Sequence, residues 1–512
     1  MSKLNYTRRE FLKKAGIGTA VISGASLPFR DILANVDNRK SPNVIIIQPD
    51  QHRGTVMRCA GDEQIHTPNL DRLAAEGIRF TNCLSASPVC SPFRGTMQTG
   101  LYCYQHGVVA NNIQMENGLT TFAEIFAEVG YATGYIGKWH LSGGWPNTWT
   151  NGKGTGEVKN LGYVPEENRQ GWQEWLGHEK GHQYFTVAKF DNQNKPFRIE
   201  GYDWEPAWQT DMALDFIKRN HKAGRPSLYY IAYGPPHLPK ECPAKYLDMY
   251  PPETFVFAPD VEKDLPKNKR SELRDELQVY YAQVTAIDEQ VGRLLDGLKK
   301  IGAGENTVIL YTSDHGDFLG SHYNNTGKLR GKGKPYANAL RIPLIVSWPA
   351  GIAPGRVCDV PVSSIDLTPT ILELGGFDIP DYMPGHSMAG WCLKGKGYQN
   401  DVLYLGLGDG KPLPAEAIMP QIKRKMEPGQ VEKSGIWRAA WDGRYLYFPG
   451  APEKKSDGWL YDHRTDPYEM TNLIDSPKYQ DVKKRLAKAM LRIAEQTDDP
   501  ALHILREHLK NG

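Results

Sequence analysis

The stretch SPVCSPFRGTMQTG, residues 87–100, sets a thiol, Cys90, two residues before Pro92 and four before Arg94. Its prolines and glycines mark a turn that opens a short helix. A thiol near an arginine at a helix start has a lowered pKa and can serve as a nucleophile. A thiol packed among apolar groups is only structural. Two acidic groups follow apolar runs: Asp50 after PNVIIIQ, and the Asp314–His315 pair after NTVILYTS. Oxygen ligands brought together from separate strand ends suit Ca²⁺ or Mg²⁺, although turn and helix-cap acids occupy the same positions. Cations complete the set. YIGKWHL places Lys138 and His140 two apart, and GKGKPYANALRIP supplies Lys332 and Lys334. Converging cations would stabilise a multiply charged oxyanion; each one alone reads equally as a solvated surface group.

Bringing these residues together requires a frame. Val44–Ile47 is apolar without alternation, the pattern of a buried parallel strand. SLYYIAYGPPH, NTVILYTSDHGD, YATGYIG and RIPLIVSWP read as further strands. Between them lie helical segments: TPNLDRLAAEG with Thr67 as N-cap, Pro68 first and Gly77 as stop; LTTFAEIFAEVG, stopped by Gly130; and SSIDLTPTILELGG. A long helix from Ser271 to Lys300 carries apolar residues at 273, 277, 280, 284, 287, 291, 294 and 298. This alternation predicts an α/β fold: a large doubly wound, mostly parallel sheet with helices on both faces. Working groups in such sheets sit beyond the carboxyl ends of the strands, which would gather Asp50, His140, His237 and Asp314 on one rim. After residue 400 short aromatic strands, DVLYLGL, GIWRAAWD and GRYLYFPG, predict a smaller C-terminal domain with an antiparallel sheet and a helix over 478–495. Residues 145–205 read as an insertion over the rim. Tryptophans 139, 145, 149, 172, 175, 204 and 208 would supply faces for stacking on sugar rings.

The 512 residues suffice for more than one domain, and a net charge of +2 gives no field that recruits nucleic acid. Seven cysteines without CxxC spacing indicate neither a zinc knuckle nor a disulfide lattice, and the odd count leaves an unpaired thiol, with Cys90 the candidate. The N-terminus, TRREFLKKAGIGTAVISGASLP, has paired Arg8 and Arg9 ahead of a short Gly/Ala-rich run, too short and small-residued for a membrane span. It resembles a twin-arginine export signal. The boundaries expected are a signal peptide and leader over 1–36, a catalytic domain over 37–400 and a C-terminal subdomain over 401–512.

Taken together, the motifs resemble the formylglycine-dependent sulfatases of the alkaline phosphatase superfamily. The pattern C-x-P-x-R…T-G is met by Cys90, Pro92, Arg94, Thr99 and Gly100, with Phe93 where Ser or Ala is usual. PNVIIIQPDQ, TPNLDRLAAEGIRFTN, GKWHL, PPH, SDHGDFLGSH, KGKPYANALRIPLIV and LYDHRTDPYEMTNL follow in the family's order, so the resemblance spans roughly residues 41–475. It implies that Cys90 is oxidised to formylglycine before folding. The hydrated aldehyde attacks the sulfur of a sulfate ester, the alcohol leaves, and the second hydroxyl drives sulfate out. The implied metal ligands are Asp50, Gln51, Asp314, His315 and modified Cys90, holding Ca²⁺, with Mg²⁺ as the alternative. Gln51 and His315 stand where many relatives have acids or Asn. Arg94 would orient the diol, Lys138 and Lys332 would bind sulfate oxygens, His140 would assist the diol oxygen, and His237 would be proton donor or anchor at the leaving oxygen. Lys334 is the weaker alternative to Lys332, and ANA replaces acids frequent after that lysine.

The expected enzyme is a periplasmic or secreted hydrolase of sulfate esters, most plausibly on a carbohydrate. Its partners would be a sulfated saccharide, a formylglycine-generating enzyme or radical maturase, and the twin-arginine translocase, with no nucleic acid and no stable membrane anchor. The rival expectations are a phosphonate monoester or phosphodiester hydrolase of the same superfamily, an aryl or choline sulfatase, and a catalytically silent glycan-binding relative.

Overall fold

The computed structural model describes residues 41–143, 162, 164–179, 184–185, 188–190, 196–199, 201–414, 417, 433–450 and 457–510. Eight strands form the main sheet: β1 (Asn43–Ile47), β2 (Ile78–Phe80), β3 (Ala132–Lys138), β4 (Glu174–His178), β5 (Ser227–Ala232), β6 (Thr307–Thr312), β7 (Leu344–Ser347) and β8 (Arg356–Cys358). Their spatial order is β8-β2-β7-β6-β1-β5-β3-β4. Only β7 runs against its neighbours; β1 pairs in parallel with β5 and β6.

The apolar run of β1 has no alternation because both faces are covered. Ile45 and Ile47 pack with Tyr229, Ile231, Ile309 and Tyr311 under the helices Pro68–Ala75 (α1), Glu205–Lys222 (α2) and Arg270–Ile301 (α3). Val44 and Ile46 face the opposite core, with Leu228, Tyr230, Val308 and Leu310, under Cys90–Thr99 (α4), Phe122–Glu128 (α5) and Leu367–Leu374 (α6). The doubly wound expectation therefore holds.

Register sets the rim. Ile47 pairs with Tyr311 and with Ile231, and Ile136 pairs with Ile231. Asp50 and Asp314 each lie three residues past the Ile47–Tyr311 pair, so they emerge side by side. Lys138 ends β3 on the same edge, and the PPH turn follows β5, with Asp50 bridged to Pro236.

Three expectations need correction. Residues 145–205 are not wholly an insertion: Glu174–His178 pairs in parallel with β3 and forms the edge of the main sheet. The tryptophan rim fails. Trp139, Trp172, Trp175, Trp204 and Trp208 are buried in the two cores; their rings fill volume beside the sheet, and Trp145 and Trp149 lie outside the described residues. Thr67 stands before α1, but its hydroxyl accepts from Arg58 N. The helix is capped instead by Asp288 of α3, which accepts from Asn69 N at 3.1 Å and Leu70 N at 2.7 Å. Cys90 is an unpaired thiol, as expected, and so are the other six cysteines.

The C-terminal sheet is antiparallel in chain order: β9 (Leu403–Leu407), β10 (Trp437–Trp441), β11 (Tyr445–Phe448) and β12 (Trp459–Asp462). Its fourth strand escaped the sequence reading. The helix Gln480–Gln496 (α7) packs Leu486, Met490 and Ala494 against it.

Candidate active site

Cys90 opens α4, with Val89 as the extended N-cap residue and Pro92 in the first turn, where a missing N–H costs nothing. Arg94 lies one turn on and therefore faces the same way. Gly95 is required by packing: a Cβ there would come 2.5 Å from the His106 ring. Gly100 ends the helix in the left-handed region, at φ 70°. Phe93, the departure from the usual motif, is buried in the core beside the sheet.

Around the thiol the rim closes tightly. Cys90 Sγ lies 3.1 Å from Lys332 Nζ and 3.3 Å from His315 Nε2. Arg94 donates to Lys138 O at 2.6 Å, to Asp314 Oδ2 at 3.1 Å and to Asp50 Oδ2 at 3.3 Å. Lys138 Nζ donates to Asp50 Oδ2 at 2.5 Å. Gln51 sits at φ 70° and donates its backbone N–H to Asp314 Oδ1. Such left-handed non-glycine residues recur where a site over-determines its backbone, and His140 is another, at φ 60°.

Opposed charges set the titration of these groups. Burial works against the Asp50 carboxylate, but the basic groups around it, Lys138 foremost, outweigh it and hold the group well below the usual range. Asp314 is pushed up by burial and by its neighbour Asp50. Burial and Asp50 raise the Cys90 thiol, yet Lys138, Lys332 and His315 overcome them and hold it well below an ordinary thiol. Burial and Lys332 push His237 down to about 3. Its Nδ1 lies 2.8 Å from Leu238 O, so the neutral ring donates there and Nε2 carries the lone pair.

The donor set could hold a divalent cation. One ligand atom from each of Asp50, Cys90, Asp314 and His315 lies within 4.8 Å of the others, all buried. His315 Nδ1 is engaged by Gly316 O at 2.9 Å, which leaves Nε2 facing the carboxylates. The Gln51 amide is oriented from behind. Its Nε2 donates to Asp317 Oδ2 at 2.5 Å, so Oε1 points to Lys332 Nζ, 3.1 Å away. Two carboxylates, an amide oxygen, an imidazole and the residue-90 side chain could hold Ca²⁺ or Mg²⁺.

With that geometry in place, comparison with known proteins is direct. The family model for sulfatases matches residues 42–377. The chain belongs to the sulfatase family. The ulvan-active sulfatase of Formosa agariphila is 31% identical over 486 residues, covering 94% of this chain and 87% of that one. The endo-4-O-sulfatase of Bacteroides thetaiotaomicron is 26% identical, covering 91% and 94%. The crystal structure of a candidate sulfatase, yidJ, from Bacteroides fragilis superposes with a TM-score of 0.78 at 26% identity, covering 92% and 98%. The protein is a sulfuric ester hydrolase with carbohydrate sulfatases among its relatives.

The sulfatase fold thus unites Asp50, Gln51, Cys90, Arg94, Lys138, Asp314, His315 and Lys332 in one cluster. His237 is close enough to feel the charges of Lys332, Asp50 and Lys138. His140 lies further along: its Nε2 is 3.0 Å from Asn112 Oδ1, and neighbouring Asn111 accepts from Ser91 N. Lys334 is exposed, whereas Lys332 is the lysine in contact with residue 90. Asp317 and Arg330 were missed. Asp317 accepts from Gln51, Arg330 Nε, Leu319 N and Gly331 N. It stands inside the quoted motif SDHGDFLGSH, two residues after His315, and that proximity was its only signal.

Proposed function

We propose that this sulfatase hydrolyses sulfate esters of saccharides, with residue 90 matured to formylglycine beside a divalent cation, Ca²⁺ first and Mg²⁺ second, held by Asp50, Gln51, Asp314, His315 and residue 90. The observation that carries this is the position of Cys90 Sγ, 3.1 Å from Lys332 Nζ and inside the carboxylate–imidazole cluster. A hydrated aldehyde there would supply two hydroxyls, one to attack sulfur and one to expel sulfate without water attacking it. The cation would add positive charge where negative charge gathers.

The chain's own residues divide the remaining work. Lys332, in contact with residue 90, and Lys138, paired with Asp50, would hold sulfate oxygens and stabilise charge as it develops on them. Arg94 ties the Lys138 carbonyl to both carboxylates, so helix α4 and the strand ends keep one spacing. His315, with Nδ1 engaged, keeps Nε2 toward residue 90. His237, held toward its neutral form by burial and Lys332 in the free protein, would serve at the leaving oxygen as anchor or proton donor. His140, braced by Asn112, would assist the diol oxygen, as the family resemblance implies.

Saccharide sulfate is favoured by the ulvan-active relative at 31% identity, against 27% for an arylsulfatase and 28% for a choline-sulfatase. Export is part of the proposal: the Arg8–Arg9 signal would deliver a folded, matured chain through the twin-arginine translocase to the periplasm or beyond, after a formylglycine-generating enzyme or radical maturase has acted. Among the described residues no helix is long and apolar enough to cross a membrane. The test is kcat/KM, read as released sulfate, across defined sulfated oligosaccharides, nitrophenyl sulfate and the matching phosphodiester. A sulfated oligosaccharide should lead the series; a phosphodiester that outruns its sulfate counterpart would transfer the protein to the phosphonate and phosphodiester hydrolases.

A further inference from the structure

Lys332 sits on a strap, residues 322–337, that leaves the rim and returns to it. On its near side the main domain fixes the backbone: Gly331 N donates to Asp317 Oδ1 at 3.0 Å, and Phe318 N donates to Gly331 O at 3.0 Å. On its far side the hydrogen-bond tethers come from the C-terminal sheet, while Phe318 of the main domain packs edge-on against Tyr336 at 6.3 Å. Trp437 of β10 donates its indole N–H to Gly333 O at 3.1 Å. Glu469, just past β12, accepts from Ala337 N at 3.1 and 3.3 Å and pairs with His322 Nε2 at 2.9 Å. One carboxylate therefore grips both ends of the strap. Trp459 of β12 stacks on Tyr336 at 4.5 Å, and Tyr336 on His322 at 3.9 Å. Glu469 is itself steadied by His463 Nε2 at 3.0 Å. Burial opposes its charge, but the two histidines hold its carboxyl down at about 2.

We propose that the C-terminal sheet is a clamp that places Lys332 against residue 90, with Glu469 and Trp437 as positioning residues. The residue before Lys332 is pinned by the main domain and the residue after it by the C-terminal sheet, so the lysine's place depends on both. A flexible lysine loses entropy when it is fixed for an anion. A strap held at Gly331, Gly333, His322 and Ala337 would meet that cost during folding, before sulfate binds. This inference rests on the sulfate-binding role given to Lys332 above.

The experiment uses the full chain and two readouts. The first is hydrogen exchange of residues 328–336 in Glu469→Gln and Trp437→Phe, each checked for folding by the protection of β1 and β6. The strap should exchange roughly tenfold faster while the strands keep their protection. The second is calorimetric affinity for inorganic sulfate in Glu469→Gln, Lys332→Met and the double variant. Glu469→Gln should weaken sulfate roughly three- to tenfold, and nothing further should be lost when Lys332→Met is already present. Wild-type exchange of the strap in both variants overturns the clamp. So do losses of sulfate affinity that simply add, since they would show a general structural effect. If Lys332→Met binds sulfate normally, the role of Lys332 falls, and the exchange result alone then decides the clamp.

Discussion

Arg94 and Arg438 are both buried arginines facing carboxylates, but in different company. Arg438 forks onto Asp499 at 2.6 and 2.8 Å and gives its other N–H groups to the carbonyls of Leu407, Trp437 and Gly408. Asp499 also accepts from Tyr404 OH and Ala501 N. That network is closed, as a buried ion pair must be to offset its desolvation. Arg94 instead shares one nitrogen between two carboxylates, which are left close enough for burial and Asp50 to push Asp314 up. The C-terminal pair holds the fold; the rim keeps like charges facing one another for a ligand to resolve. Stability given up at a functional site is the expected pattern.

Several changes would break or sharpen that contrast. Cys90→Ala should lower turnover by about 10⁴-fold or more and leave the melting temperature close to wild type, measured by sulfate release and calorimetry. Arg438→Met should do the reverse. It strands a buried carboxylate and should cost about 3–5 kcal/mol of stability in denaturant titration, while kcat per folded molecule stays at the wild-type value. Glu469 is expected to contribute roughly 3 kcal/mol through its depressed pKa. Because the folded value lies below the unfolded one, that stability is present above pH 4.5 and is lost as pH falls toward about 2; Glu469→Gln should flatten this part of the stability curve. Asp314→Asn should raise the stability of cation-free protein by about 1 kcal/mol, since it removes one of the two facing charges, while abolishing calorimetric Ca²⁺ binding. The smallest effect concerns His237. kcat/KM reports free-enzyme pKa values, so a ring held near 3 adds no limb between pH 5 and 8, and His237→Gln should leave the profile's shape unchanged.

The contrast also separates what the sequence revealed from what it hid. The rim was legible because its residues lie at strand ends and motif positions: Asp50 and Asp314 follow apolar runs, and register in a parallel sheet then places them together. The tryptophans misled because composition does not say which way a ring points; Trp139 and Trp175 pack edge to face inside the core. The strand Glu174–His178 was hidden by its polar, aromatic sequence, which carries neither the continuous apolar run of a central strand nor a clear alternation. Asp317, Glu469 and Asp499 act mainly through partners more than ten residues away, apart from Asp317's bond to Leu319 N, Glu469's to His463 and Asp499's to Ala501 N, and no periodicity signals such pairings.

The account stands on the chemical state of residue 90, and the most direct measurement is the mass of the tryptic peptide containing it, in active protein taken from the native host. The account predicts a side chain that has exchanged sulfur and two hydrogens for one oxygen, in proportion to specific activity across preparations. Full activity with the thiol intact at residue 90 would contradict it.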